Sequence, residues 1–196
     1  ESPSRASVQR AAQTLFRDKG GFAWSADCSV IARGKVVAVK APEARRDNFV
    51  HARVTIGDQP IEVMSLRLFP NVVRLDVLSP GAWRAYHDNR RKRRSQAGRI
   101  ADYLGAIERE PVLIVGGDFN APPRDAALDR FAEVTTDAFR TAGRGWGATI
   151  INQLPLVRID QVRASARLTP MAAWAEPTRY SDHRRVVADF VLASAH

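Results

Sequence analysis

An acid and an amide stand two residues apart where an apolar run of the chain is broken off. Residues 112–115 are all aliphatic, Gly116 and Gly117 interrupt the run, and Asp118 and Asn120 come next, before two prolines. The aliphatic run predicts a buried strand, and the glycines and prolines predict its end. Alternation would send Asp118 and Asn120 to one face, where a carboxylate can accept a proton and an amide can orient a neighbouring oxygen. The alternative is a polar turn that merely ends the strand.

Further acids and a histidine stand beside apolar segments in the C-terminal half. Asp160 lies inside a short apolar strand predicted over residues 157–162, and Asp182 and His183 come just before a clear final strand over residues 186–192. An Asp-His pair alone is typical of a capped turn or a surface ion pair. Taken together, these residues supply acids for a hard divalent cation, an imidazole that can face an anionic oxygen, and an acid that can hold the imidazole protonated.

The elements that must position these residues alternate between strands and helices. An apolar period indicates a first helix near residues 8–16. The further predictions are a hairpin of residues 29–33 and 35–40 about Gly34, a second hairpin of residues 49–56 and 61–68, a helix over 83–108, the strand at 112, a helix over 125–134, the Arg158 strand and the final strand. Hairpins mixed with helical crossovers favour the α/β (α+β) class, with two mixed β-sheets packed face to face and helices outside.

Three short motifs in a fixed order resemble a known family. Gly117-Asp118-Phe119-Asn120, Arg158-Ile159-Asp160 and Ser181-Asp182-His183 resemble the endonuclease/exonuclease/phosphatase superfamily, the DNase I-like metal-dependent phosphoesterases. Each motif is weak alone, and the set in this order is specific. The resemblance implies a four-layer sandwich formed by a single domain over residues 1–196.

The resemblance also implies a role for each site residue. Asp118 would position or deprotonate the attacking water, Asn120 would help to bind the phosphoryl group, and His183 would contact a phosphate oxygen. Asp160 would pair with His183 and keep it cationic, and Asp182 would be a metal ligand, directly or through water. The implied cofactor is Mg²⁺, with Mn²⁺ or Ca²⁺ as substitutes.

Two parts of the family pattern have no clear counterpart in this chain. Members of the superfamily carry an Asn on a first strand and a metal-binding Glu at the end of a second strand, before a helix. Glu1 stands directly before the first predicted helix, which is the right place for that metal ligand. We therefore expect the domain to be N-terminally incomplete. The alternative is that Glu1 is a frayed terminal residue without a role.

Two arginines are candidates for substrate binding. Arg67 stands where many members of the superfamily have a histidine; its guanidinium could clamp a phosphate but could not act as an acid. Arg93 lies in the run 90–94, three residues before Gln96, and this spacing resembles an Arg-x-x-Gln pattern near the family's site. The alternatives are a solvent-facing Arg67 on an alternating strand and a solvated helix face for the run at 90–94.

The composition of the chain narrows the classes of partner and does not identify one. The chain has 196 residues, 30 Lys and Arg against 21 Asp and Glu, and a formal net charge of +9. Such a charge favours a phosphate-bearing substrate, with nucleic acid as one candidate. No apolar run approaches the ~20 residues of a membrane helix. The single cysteine, Cys28, excludes an intrachain disulfide and a cysteine cluster for zinc, and leaves the compartment open.

Three functions therefore compete. The favoured one is a metal-dependent phosphoesterase that hydrolyses a phosphodiester or phosphomonoester by in-line attack of water, with a nuclease among its forms. The second is an inactive or impaired family member that acts as a phosphate- or nucleic-acid-binding module. The third is a basic structural domain with coincidental motifs.

Overall fold

The chain forms an α/β domain whose site lies at one edge of its largest sheet. The computed structural model describes residues 4–41, 44, 46–70, 80–107 and 111–193. Its helices are α1 (Arg5–Phe16), α2 (Pro80–Gly105), α3 (Asp129–Val134) and α4 (Ala138–Ala142). Its strands are β1 (Gly20–Trp24), β2 (Ser29–Arg33), β3 (Lys35–Ala38), β4 (Phe49–Ile56), β5 (Gln59–Arg67), β6 (Leu113–Asp118), β7 (Thr136–Asp137), β8 (Asp160–Ala164), β9 (Leu168–Glu176) and β10 (Arg185–Leu192).

The largest sheet is mixed and has six strands in the order β3-β4-β5-β6-β8-β7. Only β5 and β6 run parallel, and the other neighbours are antiparallel. The predicted hairpin of residues 49–56 and 61–68 is confirmed, because β4 pairs with β5 around a turn at Gly57, whose φ is +61°. The parallel β5–β6 pair requires a crossover, and α2 lies in that crossover.

Helix α2 covers one face of this sheet. Alternation along β5 buries Glu62, Met64 and Leu66, and the last two join a core that includes Ile100 and Leu104 of α2. Truncation of a fully buried leucine costs about 2–5 kcal/mol. This packing therefore holds the carboxyl ends of β5 and β6 in fixed positions beside each other.

A second layer covers the opposite face as two separate antiparallel pairs, β1–β2 and β9–β10. The first pair packs over β3 and β4, and β10 packs over β8. The α/β prediction is confirmed, with the second layer formed by antiparallel pairs rather than by one continuous mixed sheet.

The predicted hairpin about Gly34 is wrong. β2 pairs with β1 in the second layer, whereas β3 pairs with β4 in the six-stranded sheet. Gly34 is the point where the chain crosses between layers: its φ is +118°, and a Cβ there would lie 2.3 Å from the Thr55 carbonyl oxygen. A glycine at a layer crossing and a glycine in a hairpin turn look alike in sequence.

No helix within the described part of the chain is long and apolar enough to cross a membrane.

Candidate active site

Three neighbouring strands bring Arg67, Asp118 and Asp160 to one sheet edge. Asp118 ends β6 and lies opposite Asp160, the first residue of β8, while Arg67 at the end of β5 is the parallel partner of Asp118. Asp160 therefore begins its strand. The sequence had predicted that it would lie inside the strand. Because β6 and β8 are antiparallel, the end of one strand and the beginning of the other meet at the same edge.

Gly117 sets the close approach of β5 and β6 just before Asp118. Its φ is +146°, and a Cβ at this position would lie 2.0 Å from the Leu66 carbonyl oxygen. Only glycine fits both the backbone conformation and the space. The second glycine of the Gly-Gly pair therefore positions the Asp118 carboxylate.

Asn120 binds the Asp118 carboxylate from two sides. Its backbone N–H donates to Oδ1 of Asp118 (2.8 Å), and its Nδ2 donates to Oδ2 of Asp118 (3.0 Å) and to the Leu68 carbonyl oxygen (2.8 Å). Because both partners of this side-chain atom are acceptors, the atom must be the amide nitrogen, and the two bonds use both of its N–H groups. The polar atom that Asn120 has left for a ligand is its Oδ1, which is an acceptor. This arrangement suits the orientation of a water better than the predicted binding of phosphoryl oxygens.

His183 is held by Asp160. Oδ2 of Asp160 lies 2.9 Å from Nδ1 of His183, and an ionised carboxylate only accepts, so Nδ1 carries the proton. Thr149 fixes the acid, because its buried Oγ1 accepts from the backbone N–H groups of Ile159 and Asp160, both at 3.2 Å. The Nε2 of His183 is left to face a ligand.

Burial raises the pKa of the Asp118 carboxyl above its ordinary value of 3.8. The neighbouring Asp160 carboxylate raises this pKa further, while the Asn120 backbone N–H, His183 and Arg67 lower it. An acid whose pKa is raised by burial and by a like charge is a typical proton acceptor in an active site.

Arg67 lies at the open side of the cluster. Its side chain is 54% exposed, and its Nε lies 4.0 Å from Oδ2 of Asp118. A guanidinium in this position keeps most of its donors for an anionic ligand. Substrate binding by Arg67 stays a prediction, and the exposed position leaves the guanidinium accessible.

Arg93 is in a different position from the one predicted. Its side chain is fully buried, and its Nη2 donates to Oδ2 of Asp125 at 3.3 Å. A guanidinium that solvent does not reach cannot contact a substrate, so the burial contradicts a binding role and also the alternative of a solvated face. Arg93 instead ties α2 to the segment that follows Asn120.

The described residues offer a partial ligand set for a divalent cation. Asp118, Asp160 and His183 each place one ligand atom within 4.8 Å of the others. Two carboxylates with room for water suit Mg²⁺, which prefers oxygen ligands and retains several waters. Asp182, the predicted ligand, is exposed and is not part of this cluster. Glu1 lies outside the described residues.

Two positioning residues were missed as parts of the site. Gln96 is buried on α2; its Nε2 donates to the Arg67 carbonyl oxygen (3.2 Å), and its Oε1 accepts from the Phe69 N–H (2.8 Å). The Arg-x-x-Gln spacing was a usable signal for Gln96. Thr149 carries no such signal, because it lies in a loop and acts through its hydroxyl alone.

Comparison with solved structures agrees with this architecture. The chain is similar to an endonuclease/exonuclease/phosphatase from Beutenbergia cavernae, at 18% identity and a TM-score of 0.66, covering 100% of this chain and 61% of that one. It is also similar to a humanized D. rerio TDP2 with 14 mutations, at 15% identity and a TM-score of 0.65, covering 97% and 83% of the two chains.

A third similar structure is the mannosyl-6-phosphatase of Bacteroides thetaiotaomicron, at 16% identity and a TM-score of 0.58, covering 84% of this chain and 70% of that one. The chain spans only 55% and 54% of the length of two further family members, from B. thetaiotaomicron and Bacteroides vulgatus. No protein with a curated description matches the chain by sequence.

The family model matches almost the whole chain. The model of the Endonuclease/Exonuclease/phosphatase family covers residues 3–183, a range that includes all three motifs and ends at His183. The chain therefore belongs to the endonuclease/exonuclease/phosphatase family.

Proposed function

We propose that the chain is a phosphoesterase that hydrolyses a phosphodiester or a phosphomonoester by in-line attack of water, with Mg²⁺ as its cofactor. Membership of the family supports hydrolysis of phosphoesters, and one similar structure is a phosphatase. The observation that carries the proposal is the cluster of Asp118, Asp160 and His183, whose ligand atoms lie within 4.8 Å of one another.

Asp118 aligns the attacking water and accepts its proton. Its raised pKa increases its affinity for a proton, as the role of a general base requires. Asn120 holds the carboxylate through both of its N–H donors. The free Oδ1 of Asn120 can accept a hydrogen bond from the same water, which fixes the direction of attack.

His183 neutralises charge on the phosphoryl oxygens. With Nδ1 bonded to Asp160, protonation of Nε2 gives a cation that the neighbouring carboxylate stabilises, and this cation can donate to a phosphate oxygen. Arg67 adds a second positive group on the exposed side. Asp160 is thus a positioning residue for His183.

Mg²⁺ would be held through the Asp160 carboxylate and waters, which leaves Asp118 to act as the base. When bound, it supplies Lewis-acid neutralisation of the phosphoryl oxygens. Replacement of Asp160 by Asn should raise the Mg²⁺ concentration needed for half-maximal activity. If only Asp182→Asn raises that Mg²⁺ concentration, Asp182 is the metal ligand, as predicted from the sequence.

The test is a set of rate measurements on bis(4-nitrophenyl) phosphate and 4-nitrophenyl phosphate, with Mg²⁺ and with EDTA. We expect hydrolysis with Mg²⁺, loss of activity in EDTA, and a fall of about 100-fold or more for His183→Gln. His87→Gln, at an exposed position on α2, is the matched control and should keep full activity. If neither ester is hydrolysed, the result would favour the phosphate-binding module instead.

Nucleic acid is one substrate class that the charge supports. The net charge of +9 raises the local concentration of any polyanion. If the substrate is nucleic acid, cleavage of plasmid DNA or of RNA should fall steeply with rising salt because binding releases counterions. A smaller phosphoester should show a weak dependence on salt.

A further inference from the structure

Two loops beside His183 expose large apolar side chains. Trp146, Ile151, Leu154 and Leu156 belong to the segment 143–157, and Tyr180 belongs to the segment 177–182 that leads into the Asp-His pair. We call these five residues the apolar rim. They are 66%, 52%, 69%, 68% and 95% exposed, respectively. The proposed hydrolysis uses none of them.

Hydrogen bonds join the two loops and hold them next to the site. Ile150 forms bridges to both Val157 and His183, which closes the loop of residues 151–156 at its base. The buried Asn152 donates through Nδ2 to the Thr178 carbonyl oxygen and accepts at Oδ1 from the Thr178 N–H. Its own N–H donates to the Asp182 carbonyl oxygen (2.7 Å). The rim is therefore built on a backbone tied to His183, rather than on a free loop.

Exposure of this many large side chains on neighbouring loops is unusual for a monomer surface. Single exposed apolar residues are common, whereas contiguous apolar patches rimmed by polar groups mark surfaces that bind a partner. The Trp146 indole N–H is already satisfied by the Pro155 carbonyl oxygen (2.8 Å). The exposed ring of Trp146 is thus an apolar surface whose N–H donor already has an acceptor.

The charge around the rim selects an anionic partner. Arg140, Arg144 and Arg179 are exposed around the two loops, against the exposed acid Asp182, while Arg158 is already paired with Asp137. The surroundings of the rim therefore keep a positive charge. Two copies of this surface would bring like charges together, which disfavours self-association through it. Three of the five rim side chains, Ile151, Leu154 and Leu156, are aliphatic and suit acyl chains better than nucleic-acid bases, which would stack on Trp146 and Tyr180 alone. The partner that fits this face best is one whose own surface is both apolar and anionic.

We propose that the apolar rim docks on an anionic phospholipid membrane. Leucine, isoleucine and tryptophan side chains enter the boundary between headgroups and acyl chains, and tyrosine and arginine remain at the headgroup level. Docking would place His183 and the cluster around Asp118 close to the membrane surface. This binding goes beyond the proposed hydrolysis and does not require it.

Vesicle flotation tests the docking with the purified protein and EDTA present. We expect partition onto phosphatidylcholine vesicles that contain phosphatidylserine, with weaker partition onto phosphatidylcholine alone. The double variant Leu154→Asn, Leu156→Asn should lower partition about tenfold or more. Leu15→Asn, which changes a leucine of 65% exposure on α1, should partition like the wild type. Activity of the double variant on soluble bis(4-nitrophenyl) phosphate should be unchanged.

A second readout tests insertion directly. Vesicles with brominated acyl chains should quench part of the tryptophan fluorescence, and the variant Trp146→Phe should lose most of that quenching. Equal partition of wild type and double variant, or quenching that persists in Trp146→Phe, would overturn the proposal even if hydrolysis is observed. Partition onto vesicles without any hydrolysis would support the docking and count against the proposed activity.

Discussion

The role of Asn120 in setting the proton affinity of Asp118 can be tested by removing its side chain. Asn120 has a φ of +47°, so glycine is the replacement that keeps the backbone without strain. Asn120→Gly removes the 3.0 Å hydrogen bond from Nδ2 to Oδ2 of Asp118 and retains the backbone N–H bond of 2.8 Å to Oδ1. The variant also removes the Nδ2 bond to the Leu68 carbonyl oxygen and the Oδ1 that would orient the water, so the rate is expected to fall at every pH, but only the lost bond to Asp118 moves the acid limb.

The expected size of the change follows from that bond. A hydrogen bond to a charged group contributes about 1.5–3 kcal/mol, and one pKa unit corresponds to about 1.4 kcal/mol. The Asp118 side chain is 18% exposed, so we take the lower end of the range, about one unit. The lost bond favoured the ionised form, so its removal raises the pKa of Asp118 further.

The assay is the pH dependence of kcat/KM on bis(4-nitrophenyl) phosphate. Because the base must be ionised, the acid limb should move upward by about one pH unit, and the variant should be about tenfold slower on that limb. Asn120→Ala should show the same limb and a lower Tm, since alanine at positive φ costs about 1–2 kcal/mol. An acid limb that stays in place in Asn120→Gly would refute the coupling of Asn120 to Asp118.

Three further predictions concern stability and binding. Arg67→Met should raise KM with an unchanged Tm, whereas Arg93→Met should lower Tm and leave KM unchanged; the opposite pattern would reverse their roles. Gly117→Ala should destabilise the fold by about 2–4 kcal/mol in urea titrations because its Cβ would lie 2.0 Å from a carbonyl oxygen. Burial lowers the pKa of His51, a residue of β4, below 6.5, so stability is present above that value and is lost as pH falls below it. Tm should fall as the pH drops below 6.5, and it should fall less in His51→Gln.

Sequence reasoning succeeded where a motif fixes both residue type and strand position. Asp118 follows an aliphatic strand and His183 precedes the final strand, and the structure brings both to one edge. Sequence reasoning failed where the same residue type is compatible with two different structures. Gly34 was predicted to lie in a hairpin turn and lies at a layer crossing, and Arg93 was predicted to bind substrate and is buried. Pairing partners and burial depend on tertiary packing, which local patterns do not encode.

The apolar rim illustrates a second limit of sequence reasoning. Leu154 and Leu156 flank a proline in a loop without helical or strand periodicity, so neither pattern indicates whether they are buried or exposed. Their exposure depends on Asn152, whose bonds to Thr178 hold the loop against the segment before His183. A single buried amide between distant segments leaves no recognisable spacing in the sequence.

We propose above all that Asp118 is the general base of a phosphoesterase. Burial raises its pKa above the unfolded value of 3.8, so its contribution to stability is present below that value and is lost as pH rises through the folded pKa. Asp118→Asn removes a buried acid but also one acceptor of the Asn120 Nδ2, and because these two effects oppose each other its Tm should stay close to that of the wild type. The most direct measurement is kcat of this variant on bis(4-nitrophenyl) phosphate with Mg²⁺, with Tm measured on the same sample. We predict a loss of about 100- to 10,000-fold in kcat without loss of Tm; full activity in a folded Asp118→Asn protein would contradict the account.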